Sequence, residues 1–138
     1  MSQRPIDRIR LGPLERAVME HVWGAKQRSD VVSVHDAVGR PRSITRNTIH
    51  STLERLVRKG LVARHRRGRA YHYDASLSRS AWIAELLDVM SEQFGGGHHD
   101  AVLAGFVDFA ARTGEQSLSS LEAMVHERRR NEDDPEDG

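Results

Sequence analysis

Residues 45–73 constrain the fold more than any other stretch of the chain. Thr45 has the side chain of a helix N-cap, and Ile49, Leu53, Leu56 and Val57 follow it at helical spacing. The pattern predicts a helix to about Lys59. It stops at Gly60, because glycine just past a helix readily takes the left-handed conformation that ends it. Two short runs come next, residues 61–66 (LVARHR) and 69–73 (RAYHY), with Arg67 and Gly68 between them. Two such runs around a glycine turn read as a β-hairpin. Upstream, Leu14, Ala17, Val18, His21 and Val22 mark a helix over about 13–25, with Pro13 in its first turn. Residues 29–32 read as extended. Ser33 and Asp36 have capping-box spacing and would open a short helix that carries Val34, Ala37 and Val38 and ends at Gly39-Arg40-Pro41. Three helices followed by a hairpin is the order of a winged helix-turn-helix.

Three more helices are expected beyond the hairpin. The first runs over about 78–94 with the stripe Trp82, Ile83, Leu86, Leu87, Met90 and Phe94, and Gly95, Gly96 and Gly97 break it. The second runs over about 98–112 with Val102, Leu103, Phe106, Val107 and Ala110 apolar. The third starts near Ser119, which forms a second capping box with Glu122, and carries Leu118, Leu121, Met124 and Val125. Residues 131–138 hold five acids in eight positions, a composition that predicts disorder. The expected fold class is mainly α with a small β-hairpin wing. The expected organisation is a winged helix-turn-helix over 1–75, a helical region over 76–130 and an acidic tail over 131–138. Stripes this wide find few partners within one such chain, so a homodimer is expected. Trp82, Leu86, Met90, Phe94, Leu103, Phe106, Val107 and Leu121 are its expected dimerisation residues.

Charge locates the second task. The formal net charge of the 138 residues is only +1, but residues 1–74 carry +9 and residues 75–138 carry −8. Such asymmetry points to a nucleic-acid or membrane contact on the basic side. Residues 40–69 hold ten Lys or Arg against the single acid Glu54. With no cysteine in the chain, disulfides, thiolate metal sites and cysteine nucleophiles are excluded. No apolar run is long enough to span a membrane, and the first ten residues lack the apolar core of a signal peptide. The expectation is a cytoplasmic protein that does not insert into membranes.

On a helical wheel, Asn47, Ser51, Glu54 and Arg58 oppose the apolar stripe of the third helix. Thr48 and Arg55 stand beside them, and His50 lies at the margin. A recognition helix needs such a face, because its first turns must reach base edges in the major groove. Asn47 can pair with adenine and Arg46 with guanine, while Thr48 can meet a thymine methyl or a phosphate. Arg55 and Arg58 suit phosphates. Arg66, Arg67 and Arg69, at the hairpin tip, can grip the backbone or enter the minor groove. The expected partner is therefore double-stranded DNA. The rivals are a solvated cationic surface, a protein-interaction module and a non-specific nucleoid-binding protein.

The eight histidines raise a further alternative, a metal- or haem-responsive repressor using the His-rich C-terminal region, in which His98 and His99 are adjacent. Adjacent histidines on a helix point about 100° apart and rarely chelate one ion. These two are expected to cap a helix or face solvent, and His21 to sit half-buried. The triple glycine lacks the Lys-Ser/Thr of a phosphate loop. No catalytic constellation stands out, so neither an enzyme nor a metal or cofactor is expected.

Residues 14–23 (LERAVMEHVW), 48–61 (TIHSTLERLVRKGL) and 69–73 (RAYHY) resemble the penicillinase-repressor family, of BlaI/MecI and CopY type. The resemblance covers 11–75 well and weakens over 76–130, where residues 101–107 (AVLAGFV) match best. It implies a dimeric repressor on a palindromic operator with TACA/TGTA-like half-sites. It also implies release through a membrane sensor-protease that triggers cleavage in the dimerisation region. The family's Asn-Phe cleavage pair falls at Gly105-Phe106, so glycine stands in place of the asparagine. The cysteine ligands of the copper-responsive branch are absent.

Overall fold

The computed structural model describes residues 5–134, and the chain divides into two compact units, Met1–Val89 and Met90–Gly138. The first element, α1 (Pro5–Ile9), is too short to show a period in the sequence and was not expected there. Tertiary contacts define it. Ile9 is 2% exposed and its carbonyl accepts the Trp82 indole N–H at 2.8 Å. Arg8 Nε donates to the Lys59 carbonyl at 2.9 Å, and its Nη1 donates to Glu85 at 2.9 Å.

The helix α2 (Pro13–Gly24) buries Val18, Met19 and Val22. A short helix, α3 (Val31–Val34), widens into a π turn over His35–Gly39 and tightens into a 3-10 turn over Arg40–Arg42. Its N-cap is Asp30, not Ser33: the Asp30 carboxylate accepts the Ser33 N–H at 2.8 Å. That bond, the largest influence on the group, holds the Asp30 carboxyl below its ordinary range. Ser29 explains the shift in start. Its backbone N–H and C=O both bond to Tyr73 at 2.8 Å, so the extended piece is a single bridge and the helix begins at Val31. At Gly39 a Cβ would collide with the His35 ring and crowd the Ile44 carbonyl and Ile49. Glycine thus lets the helix-turn-helix corner close tightly.

Ser43, in the left-handed region at φ 53°, turns the chain into α4 (Arg46–Arg58). Thr45 caps α4 as expected, its hydroxyl accepting the Thr48 N–H at 3.2 Å. Strands β1 (Val62–Arg67) and β2 (Ala70–Ala75) pair antiparallel, with Arg64 opposite Tyr73 and Arg66 opposite Tyr71. Gly68, at φ +65°, is the first of two turn residues, where a tight hairpin needs a positive φ. Ile49, Leu53 and Leu56 from α4 close the core with Val34, Val38, Leu61, Val62, Tyr73 and the α2 stripe.

Helix α5 (Arg79–Phe94) begins in the N-terminal unit and ends in the C-terminal one. Its first turns belong to the N-terminal unit. Trp82 packs on Trp23 with ring centroids 5.5 Å apart, and Arg79 pairs with Glu20. Trp82, expected at a dimer contact, is thus engaged within its own chain, because α1 supplies an acceptor for its indole N–H that the sequence did not reveal.

The C-terminal unit holds the end of α5, α6 (His99–Thr113) and α7 (Ser117–Asp133). Helix α7 starts at Ser117, ahead of the expected Ser119 box, and no side chain caps it. It continues through Asp133, which corrects the disorder expected from residue 131. Arg128 and Arg129 stand four residues before Glu132 and Asp133, a spacing that supports helix. The expectation of disorder for 135–138 lies outside the described residues. No helix among the described residues is long and apolar enough to cross a membrane.

Candidate DNA-binding surface

The core grips α4 by one side only, and this decides what the other side can do. Ile49, Thr52, Leu53 and Leu56 are buried, while Arg46, Asn47, Thr48, His50, Ser51, Arg55 and Arg58 are all exposed. Arg46, Asn47 and Thr48 form the first turn, where a recognition helix reaches deepest into a groove. The wing residues Arg66, Arg67 and Arg69 are exposed beside the Gly68 turn. Arg66 Nε donates to the Gly68 carbonyl at 3.1 Å, which orders its stem at the tip. All ten expected DNA-contact residues therefore stand on open surface of one unit. Among the described residues, Arg46, Arg55, Arg58, Arg67 and Arg69 make no ion pair within it.

The rest of the basic segment has internal work. Lys59 forms an ion pair with Glu15 at 2.6 Å, both side chains largely buried, and also donates to the Arg10 carbonyl at 3.0 Å. Arg40 pairs with Asp36 one turn back at 2.9 Å, and Arg42 donates to the Val38 carbonyl at 3.0 Å. Arg64 Nη1 donates to Glu54 at 2.8 Å, and its guanidinium lies 4.6 Å from the centre of the Tyr71 ring. The charge count of residues 40–69 therefore overstates the cation available to a partner.

Glu54 is the residue whose role the wheel misjudged. The wheel set it on the outward face, but the carboxylate is turned to the wing, where it also accepts the Tyr73 hydroxyl at 2.8 Å. Burial alone would push this carboxyl up. The bonds from Tyr73 and Arg64, with the charges of Arg64 and His50, outweigh burial and hold it below its ordinary range. The same contact, after burial, pushes the Tyr73 phenol well above its ordinary value. A lone acid inside a basic segment was the sequence signal for this contact, but its partners lie on another element.

The expected dimerisation residues fall into two groups. Trp82 and Leu86 are half-buried on the N-terminal half of α5. In the C-terminal unit Met90, Phe94, Leu103, Phe106 and Val107 are exposed, with Phe94 at 81% and Leu103 at 64%, and Leu121 is half-buried. Phe109, Met124 and Val125 are exposed apolar residues that the expected set omitted. Phe106 and Phe109 meet edge to face at 6.2 Å and, with Leu121 and Met124, line an open cleft of about 660 Å³ between α6 and α7.

Among the described residues no group of three or more His, Asp or Glu side chains is arranged to hold a metal ion. His98 occupies the N-cap position of α6 but its side chain makes no cap bond; both His98 and His99 are exposed, so of the two expected roles, capping or facing solvent, they take the second. His21 is half-buried, as expected.

The family model described as penicillinase repressor matches residues 11–127. The chain belongs to the penicillinase repressor family. The transcriptional regulator BlaI of Mycobacterium tuberculosis, in two strains, is 34% identical over 119 residues, which cover 86% of this chain and 84% of that protein. Membership in the penicillinase repressor family makes the chain a BlaI-like, DNA-binding transcriptional repressor and not an enzyme. A slighter likeness is to a solved homodimeric winged helix-turn-helix DNA-binding domain from Mycobacterium bovis, a possible ArsR-family regulator. There the identity is 18%, the TM-score is 0.47, and 72% of this chain and 96% of that chain are covered.

Proposed function

We propose that the protein is a homodimeric, sequence-specific repressor that silences a promoter by occupying a palindromic operator with TACA/TGTA-like half-sites. The observation that carries the reading is the outward face of α4. A polar and cationic first turn, Arg46, Asn47 and Thr48, stands on a helix fixed from behind by a closed core, with a basic wing beside it. Asn47 and Arg46 read base edges, and Arg55, Arg58, Arg66, Arg67 and Arg69 hold phosphates. In a dimer the two recognition helices enter successive major grooves, about 34–36 Å apart for half-sites one turn apart. The exposed apolar residues of the C-terminal unit support the dimer, since a second copy gives them a place out of water. A membrane sensor-protease remains the proposed partner that ends repression, acting on the C-terminal unit.

Selection of bound duplexes from random-sequence DNA tests the reading, together with light scattering of the free protein. A palindrome and a dimer are expected. Absence of any enriched sequence would reduce the protein to a non-specific binder, and a monomer would remove the two-fold reading of the operator.

A further inference from the structure

The recognition helix carries one carboxylate, and a carboxylate on a DNA-facing helix repels phosphates. We propose that Glu54 neutralises Arg64 and so withholds it from DNA phosphates, making Glu54 a specificity-determining residue that suppresses binding to random DNA. The inference rests on the DNA-binding reading above and adds to it a role for the one acid in residues 40–69.

Glu54 is engaged at both oxygens: Oε1 accepts the Tyr73 hydroxyl at 2.8 Å and Oε2 accepts Arg64 Nη1 at 2.8 Å. The Tyr73 side chain is fully buried, so the carboxylate is anchored to the core on one side and faces the wing on the other. Arg64 is held by the carboxylate at one edge and by the Tyr71 ring across its plane. The two charged side chains are 21% and 40% exposed, within reach of solvent and of a passing polyanion. Geometry thus leaves Arg64 near the DNA-facing surface with its charge already compensated.

The consequence follows from how proteins bind DNA without regard to sequence. That binding comes from cations that replace counterions along the phosphates, and its salt dependence counts them. An arginine already neutralised by a carboxylate displaces no counterion. A free one finds a phosphate in any register, because phosphates repeat along the duplex whatever the bases. Releasing Arg64 would therefore raise affinity for random DNA more than for a site whose register is fixed by base contacts.

The test measures affinity for a random-sequence duplex across a salt series, for the full chain and three variants. Glu54→Gln keeps an acceptor for the Tyr73 hydroxyl but removes the charge. Its salt exponent is expected to steepen by about 0.9, one phosphate more, with several-fold tighter binding at fixed salt. Arg64→Gln is expected to match the wild-type exponent, and Glu54→Gln with Arg64→Gln to return to it. A shallower exponent for Arg64→Gln would show that Arg64 already holds a phosphate and would overturn the proposal. So would an unchanged exponent for a folded Glu54→Gln. If thermal melting shows Glu54→Gln to be unfolded, the Arg64→Gln exponent decides alone. Wild-type protein with no salt-dependent binding would instead bring down the DNA-binding reading itself.

Discussion

Apolar residues meet opposite fates in the two units. In the N-terminal unit eleven buried side chains from three helices and the hairpin close on one another. In the C-terminal unit Ala110 is the one buried apolar residue among those described, while Phe94, Leu103, Phe109 and Met124 are each more than half exposed. Helix-forming sequence is not scarce there, since α6 and α7 are both longer than α4. What is missing is a third layer. Two helices can cover only part of each other's stripe. The N-terminal unit carries its own hydrophobic stabilisation, whereas the C-terminal unit leaves its apolar stripes open, and in the proposed dimer a second chain would cover them.

The sharpest way to break this contrast is a pair of truncations to alanine. Leu53→Ala opens a cavity in a closed core and is expected to cost about 2–5 kcal/mol in urea unfolding, independent of protein concentration. If the cost vanished, the N-terminal core would not be self-sufficient. Phe106→Ala is expected to leave that transition in place and weaken the dimer instead. A loss of about 2 kcal/mol, roughly thirty-fold in the dissociation constant by sedimentation, is the expected size. An unchanged dimer would remove α6 from the interface.

Smaller effects separate functions within the N-terminal unit. Asn47→Ala is expected to relax sequence preference, costing about 1–3 kcal/mol at the matched base pair, whereas Arg67→Ala weakens all duplexes alike. Equal losses for both variants on selected and random DNA would undo the division between reading and gripping. The smallest effect is a pH dependence. Glu54 has a folded-state pKa below its ordinary 4.5, so its contribution is complete above pH 4.5 and fades as pH falls through the lower folded value. Glu54→Gln should flatten the acid limb of stability against pH. A limb of unchanged slope would mean the wing contact adds no proton-linked stability.

The sequence made legible whatever rests on local chemistry. The Thr45 cap, the α4 stripe, the glycine turn of the wing and the exposure of the opposite face of α4 are all as expected, because a period of 3.6 and a turn residue are visible in one dimension. The departures share a different cause. Asp30 takes the cap from Ser33 because Tyr73, far downstream in the sequence, fixes Ser29. Glu54 turns to the wing through Tyr73, 19 positions on, and the Trp82 indole bonds within its own chain to Ile9, 73 positions back. Acidic composition argued for disorder from residue 131, yet α7 persists to Asp133.

The little helix α1 also bears on where this protein begins as a folding unit. The family match opens at residue 11, and a fragment cut there would look complete by homology. It would discard Ile9 from the interior, strip the Trp82 indole of its acceptor and leave the Lys59 carbonyl at the end of the recognition helix without Arg8. The boundary of the family match is therefore not the mechanical one, and the end of α4 is braced from behind by residues that lie before it.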